Sequence, residues 1–441
     1  MIVSKFGGTS LADARQIKKA AAIVTQSPER SVVVVSAPGK RSSEDEKITD
    51  ILISCHAIAS EGGDIADRYA LVRDRYTAIA ADLGIETDLA PVLDEVERDI
   101  RDGADQSAVV SRGEYLGAHL VASYLGYEFA DAAEMIRFAD ETTIDSRATD
   151  ELVRKRLDPA GRFVVPGFYG AHADGRVQLF SRGGSDISAA LIARALDAKV
   201  YENWTDVSGL LSADPRIVDN PAPITRVSYR ELRELAFLGA NVFHDEAIAP
   251  VAQKGIPIQI RNTNEPDHPG TTISRSGGTS DVSSGGESPR VVGVAGKRGF
   301  QTVLVERSML SARPRYLDEV RSVCMELTVP VRHSVAGSDT LLLVCPAADI
   351  DRVGKRLDAR LRENGAEQVD SGPPVALVGM VWSAAGVDSE VLSRGLGGLA
   401  REGIAVRFVS SGESPHTVLF GVDESRYEDA IRALYRSTFD Q

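Results

Sequence analysis

The sequence predicts an α/β protein: an open, mostly parallel sheet sandwiched by helices, followed by two smaller α+β domains. Three observations point there. Strand, small polar turn and helix follow one another at the N-terminus and recur further on. A stretch of serine and glycine interrupts the chain after residue 273. Beyond it, a pattern of residues repeats at an offset of 75. At 441 residues the chain is too long for one ordinary core. Its 43% hydrophobic and 26% charged content is that of a globular protein.

Met1–Ser10 (MIVSKFGGTS) sets the architecture. The apolar run Ile2-Val3 leads through Lys5-Phe6 to Gly7-Gly8, and a helical pattern with Ala12, Ile17, Ala20 and Val24 follows. Adjacent glycines let the backbone pass close to a bulky anion, and Lys5 adds a full positive charge at the strand end. Ser31–Ser36 (SVVVVS) is a continuous β-branched run, as expected of a strand buried on both faces, and ends in Ala37-Pro38-Gly39-Lys40. The charged segment Arg41–Lys47 reads as a solvated loop. Three helices are expected between Thr49 and Arg101 and another over Ala108–Leu125, with Glu114 in its first turns. Phe163–Tyr169 reads as a strand, Asp174-Gly175 as a hairpin turn, and Val177–Phe180 as a further strand entering Ser181-Arg182-Gly183-Gly184-Ser185-Asp186. Val200–Trp204 is a strand, Ser228–Leu238 a helix, and Pro257–Arg261 the last strand of this part. Ligands of open α/β sheets sit outside the carboxyl ends of the strands, so a polyphosphate is the natural occupant. The usual nucleotide fingerprints, G-x-x-x-x-G-K-[ST] and a strand-linked G-x-G-x-x-G, are absent from the sequence.

Ser274–Arg290 is dominated by serine and glycine and reads as a flexible linker, because it has almost nothing apolar to bury. After it, Val329-Pro330-Val331-Arg332 and Gly337 match Ile404-Ala405-Val406-Arg407 and Gly412. Helices precede both segments and strand-plus-helix follows both, which is a ferredoxin-like order. Val291–Val294 also reads as a strand, so the two copies are open to exchanging edge strands. The boundaries expected are 1–273, 274–290 for the linker, 291–370 and 371–441.

A net charge of −14 argues against nucleic acid as partner. No apolar run approaches the ~20 residues that span a bilayer, and no export signal is read at the N-terminus. Cys55, Cys324 and Cys345 are far apart in sequence, as expected of buried fillers in a reducing cytoplasm. The seven histidines show no ligand spacing, so no protein-held metal is expected.

KFGGTS, SAPGK, SRGE (Ser111–Glu114), SRGGSD (Ser181–Asp186) and WTDV (Trp204–Val207) together resemble aspartate kinase, a member of the amino-acid kinase fold. The resemblance covers essentially the whole chain, and the C-terminal repeats resemble the tandem ACT domains of that family. Ending at Gln441, the sequence is expected to be the monofunctional form. The family transfers the γ-phosphoryl of MgATP to the side-chain carboxylate of aspartate, so ATP, Mg²⁺ carried in with it, and aspartate are implied. Lys5 and the Gly7 and Gly8 amides suit charge neutralisation around the phosphates. Arg182 offers a bidentate fork for a carboxylate, Glu114 a counter-charge for the ammonium, and Thr49 and Ser185 hydroxyls for the carboxylates. Asp186 is implied in the active site, orienting Lys5 or the substrate. The resemblance further implies Ser36, Thr205, Asp206 and Arg216 at the nucleotide.

Two departures fall in this region. Leu211 stands where many relatives carry an aromatic residue, and 239–245 lacks a lysine found in many of them. In the family an amino-acid effector, lysine and/or threonine, settles at an ACT–ACT interface against a glycine-containing turn. Here that turn, 311–317, has no glycine and two arginines, so the response to lysine is expected to be weak, absent or redirected. A cytoplasmic homodimer or higher homo-oligomer is implied. The alternatives are another acyl-phosphate-forming kinase of the same fold, acting on an acid such as glutamate, and a non-catalytic amino-acid sensor.

Overall fold

The structure is a computed structural model. It describes residues 1–85, 89–181, 183–240, 245–276, 291–306, 314–362, 368–383, 389–411, 414 and 416–439, without the side chains of 245, 314–317, 361 and 362. Arg182, 241–244, 277–290 of the expected linker, 311–313 of the effector turn, Gly412 and Gln441 therefore lie outside the described residues. The chain divides into two compact units. The first is Met1–Leu210, Pro223–Leu232 and Val242–Ser280; the second is Leu211–Ala222, Arg233–Asn241 and Asp281–Gln441.

The elements begin with β1 (Ile2–Phe6), α1 (Ala14–Thr25), β2 (Val32–Val35), α2 (Ile48–Ser60), α3 (Ala66–Leu83), α4 (Ala90–Arg101) and α5 (Gln106–Leu125). Then come β3 (Glu128–Phe129), α6 (Ala132–Met135), α7 (Ser146–Arg156), β4 (Phe163–Pro166), β5 (Tyr169–Ala171), β6 (Val177–Leu179), α8 (Gly184–Ala195) and β7 (Val200–Thr205). β8 (Leu210–Leu211), β9 (Pro223–Ile224), β10 (Arg226–Ser228), α9 (Tyr229–Leu238), α10 (Asp245–Lys254), β11 (Ile258–Asn262) and β12 (Thr271–Ser274) follow.

The first unit is organised on an eight-stranded sheet in the order β10-β12-β11-β7-β1-β2-β4-β3. Its ladders are parallel except β11–β12, which is antiparallel. Side chains alternate across each strand. Phe6, Val33, Val35 and Val164 face a core filled from α1 to α5 by residues such as Ile17, Leu52, Tyr76, Leu93 and Leu116. Lys5 therefore points to the opposite face, where α8 packs on β1, β2 and β7. α8 is apolar nearly all round, with Ile187 and Ala189–Ala193 buried, because α7 and α10 cover its outer side. Glu202, buried within the sheet, is satisfied by Arg30 (2.8 and 3.1 Å), Ser4 (2.9 Å) and the Trp204 indole (2.9 Å).

Four details differ from the expectations. Val177–Phe180 does not feed the main sheet: β6 pairs with β5 as an antiparallel hairpin. The expected strand Phe163–Tyr169 breaks at Phe168, whose φ of 79° lies in the left-handed region. Its N–H donates to Ser188 Oγ (3.1 Å) and its carbonyl accepts from Phe180 (3.0 Å), bonds that hold a costly conformation. Pro257–Arg261 is not the last strand, because β12 follows and pairs with it. α5 starts earlier than Ala108: Asp105 caps it through Ala108 N (2.8 Å), so Glu114 lies in mid-helix and the helix dipole does not explain it.

The second unit continues with β13 (Val291–Glu306), α11 (Pro314–Glu326), β14 (His333–Ala336), β15 (Thr340–Pro346), α12 (Ile350–Arg362), β16 (Gln368–Trp382), α13 (Ser389–Arg401), β17 (Val406–Ser411), β18 (Thr417–Asp423) and α14 (Tyr427–Phe439). Its strands form a single antiparallel sheet, β14-β15-β13-β16-β18-β17. Two cores lie along it. Val303 and Val305 of β13 join the core of the first repeat with Val320, Leu343 and Leu357. Val291 and Val294, from the other end of the same strand, join the second core with Met380, Phe420 and Leu434. β13 thus supplies the first strand of one repeat and the outer strand of the other. Among the described residues, no helix is long and apolar enough to cross a membrane.

Candidate active site

Lys5 ends β1 on the α8 face, and α8 begins after Gly183, whose φ of 59° suits a residue without Cβ. The turn brings Asp186, in the first turn of α8, to 2.7 Å from the Lys5 ammonium. The two side chains are 10% and 16% exposed, so their attraction is little screened. Asn203 lies beside Lys5 in the β1–β7 register, and its Nδ2 donates to the same Asp186 Oδ1 at 3.0 Å. The sequence reading missed Asn203. The available signal was a polar residue inside a buried strand.

The turns after β1 and β2 interlock. Gly39 N–H donates to the Gly8 carbonyl at 2.8 Å, Gly7 N–H to the Trp204 carbonyl at 3.0 Å, and Ser36 N–H to the Phe6 carbonyl at 3.2 Å. A Cβ on Gly39 would stand 2.6 Å from the Gly8 carbonyl carbon, and one on Gly8 would stand 2.9 Å from the Ala37 carbonyl oxygen. A Cβ on Gly7 would come within 3.6 Å of Lys5 Nζ. Bare backbone, with the lysine at its edge, therefore lines this end of the sheet, a surface that fits phosphate oxygens.

Glu114 approaches the same strand ends from α5. Gly113 and Gly117 bring the helix close enough that added Cβ atoms would meet Ala37 Cβ at 3.0 Å and the Ser36 carbonyl at 3.4 Å. Glu114 Oε1 accepts the Ala37 N–H (3.1 Å), while Oε2 is buried with no partner among the described residues. Burial pushes the carboxyl up to about 7, against the pull of the Ala37 N–H.

Ser185 is buried beside Asp186, and Thr49 is half-buried in the first turn of α2. The Thr205 hydroxyl donates to Asp206 at 3.2 Å, after β7. Arg216 belongs to the second unit, where it is 85% exposed and paired with Asp214 at 2.6 Å. The loop Arg41–Lys47 is exposed as expected except at Asp45. The Arg41 and Arg75 guanidinium groups hold the Asp45 carboxyl well below its usual range, and buried Arg75 also donates to the Gly39 carbonyl (3.2 Å). Among the described residues, no group of three His, Cys, Asp or Glu side chains is placed to hold a metal ion.

Residues 1–262 match the amino acid kinase family, and residues 375–437 match an ACT domain. Aspartokinase 3 of Bacillus subtilis is 32% identical over 459 residues, which is 100% of this chain and 99% of that protein. The crystal structure of Clostridium acetobutylicum aspartate kinase is similar with a TM-score of 0.92 and 37% identity, covering 99% of this chain and 100% of that one. Escherichia coli aspartokinase III in complex with lysine and aspartate is similar with a TM-score of 0.73 and 25% identity, covering 100% of this chain and 99% of that one.

Proposed function

The chain belongs to the amino acid kinase family, and within it to the aspartokinases; from that premise we propose that it transfers the γ-phosphoryl group of ATP to the side-chain carboxylate of L-aspartate. The product is 4-phospho-L-aspartate, which enters lysine, threonine and methionine biosynthesis. The observation that carries this reading is the Lys5–Asp186 pair at the edge of the interlocked glycine turns.

The acceptor carboxyl titrates near ~4 and is ionised at neutral pH, so no general base is needed. One of its oxygens attacks the γ-phosphorus, and the bond from that phosphorus to the β,γ-bridging oxygen breaks, leaving ADP. The protein has to position the reactants and neutralise charge. Lys5 meets the charge that spreads over the transferring group, and Asp186 orients Lys5. The Gly7 and Gly8 backbone approaches the phosphates, with Ser36, Thr205 and Asp206 toward the rest of the nucleotide. Mg²⁺ brought in on the phosphates would add charge neutralisation there. Arg182, Thr49 and Ser185 take the substrate carboxylates. The orphaned Oε2 of Glu114 suits the substrate ammonium, which would satisfy it.

The same reading makes the protein a cytoplasmic homodimer or higher homo-oligomer whose paired C-terminal repeats take an amino-acid effector, lysine and/or threonine. The test is hydroxylamine trapping of acyl phosphate from ATP, Mg²⁺ and a panel of acids. Aspartate should be the good substrate and glutamate a poor one. Equal or better turnover of glutamate would reassign the substrate, and no product from any acid would favour a non-catalytic sensor.

A further inference from the structure

Asn203 is 5% exposed and sits beside Lys5 on the neighbouring strand, facing the start of α8. Its amide nitrogen donates to Asp186 Oδ1, the oxygen that also receives the Lys5 ammonium. Its own Oδ1 is buried and has no partner among the described residues. A buried amide that satisfies one end and leaves the other empty is expensive unless the empty end is used at some stage. The register neighbour with N–H groups to spare is Lys5, since an ammonium has three donors and Asp186 takes one.

We propose that Asn203 is a positioning residue for phosphoryl transfer, locking Asp186 through its amide nitrogen and offering its carbonyl to the Lys5 ammonium. The inference rests on the aspartate kinase reading of the site. Two donors on one carboxylate oxygen fix the rotation of Asp186, so the acid stays in place when the lysine turns to a phosphate. Asn203 also competes for Oδ1 without adding charge, which loosens the hold of Asp186 on Lys5. The acceptor at Asn203 Oδ1 then receives an ammonium N–H along the way. A hydrophobic residue at 203 would remove both effects and leave Lys5 bound to a freely rotating carboxylate.

The experiment compares full-length wild type with Asn203→Leu, Asn203→Asp and Asp186→Ala, using ATP, Mg²⁺ and aspartate across pH. Asn203→Leu should lose at least tenfold in kcat, with the aspartate KM changed less than threefold and the thermal unfolding profile retained. Asn203→Asp sets a like charge against Asp186, so the pair binds a proton at higher pH. The acid limb of its kcat profile should move up by about one pH unit or more. An Asn203→Leu enzyme within twofold of wild-type kcat, a loss confined to the aspartate KM, or an unmoved acid limb in Asn203→Asp would each overturn the proposal. Should Asp186→Ala be inactive while both Asn203 variants behave as wild type, only this inference falls. Should Asp186→Ala also keep full activity, the site reading itself falls.

Discussion

Gly39 donates its backbone N–H to the Gly8 carbonyl across 2.8 Å, so the turns that end β1 and β2 are held backbone to backbone. No side chain fits between them, because a Cβ on Gly39 would lie 2.7 Å from the Gly8 carbonyl oxygen. Gly39→Ala must push the two turns apart. The expected cost is about 1–3 kcal/mol of stability and a tenfold or greater rise in the KM for ATP, with the aspartate KM little changed. Urea unfolding and initial rates at varied ATP check both. Unchanged ATP kinetics would detach these turns from the nucleotide.

Lys5→Ala and Arg182→Ala should fail in different ways. Lys5 acts on charge that builds up in the transition state, so its loss should lower kcat by about 10²–10³ with modest KM changes. Arg182 contacts a ground-state carboxylate, so its loss should raise the aspartate KM by roughly 10–100-fold, the equivalent of one charged hydrogen-bonding contact. An Arg182→Ala enzyme that weakened only ATP would reassign the arginine to the nucleotide.

Glu114 gives a pH signature. Its carboxyl is raised to about 7, so the folded protein holds this proton more tightly than the unfolded chain, where the value is 4.5. The stability it contributes is fully present below that unfolded value and is lost as pH rises through about 7. Glu114→Gln removes the dependence. Without ligand, the variant should gain on wild type as pH goes from 5 to 8, by on the order of 3 kcal/mol at most. Since the ionised form meets the substrate ammonium, the wild-type aspartate KM should rise as pH falls through about 7, and Glu114→Gln should bind aspartate poorly at every pH. Parallel stability curves for the two proteins would show that Glu114 does not titrate in this range.

Much of this site was legible in the sequence. A β-branched run with no polar break has few homes other than a doubly buried strand, and β2 is one. Lys5, Gly7 and Gly8 stood out because a charge and two glycines at a strand end have a shared physical use. What the sequence withheld was long-range. Asn203 gains meaning only through its register with Lys5, which is created by pairing of strands nearly 200 residues apart. The turn of the β5–β6 hairpin is legible at Asp174-Gly175, but that the hairpin stands apart from the main sheet is not, because a three-residue strand looks the same in either setting. Asp45 passed for a solvated acid because its partner, Arg75, comes from a helix 30 residues later.

The shared strand β13 leads to the last prediction. Val294 and Val303 are nine positions apart on one continuous strand, yet they lie in the cores of different repeats. Val294 packs with Met380 and Phe420 although it lies in the first strand of the first repeat, and Val303 packs with Leu343 and Leu357. Val294→Ala and Val303→Ala each remove apolar volume worth about 2 kcal/mol with the cavity included. If each core opens with its own strands, Val294→Ala should speed amide exchange in β18 and α14 while β15 and α12 keep their protection. Val303→Ala should do the reverse. Hydrogen exchange read by mass spectrometry over those four elements decides the matter. Loss of protection in β15 and α12 on mutating Val294 would mean that the two repeats open as one cooperative unit and that the division of β13 has no energetic consequence.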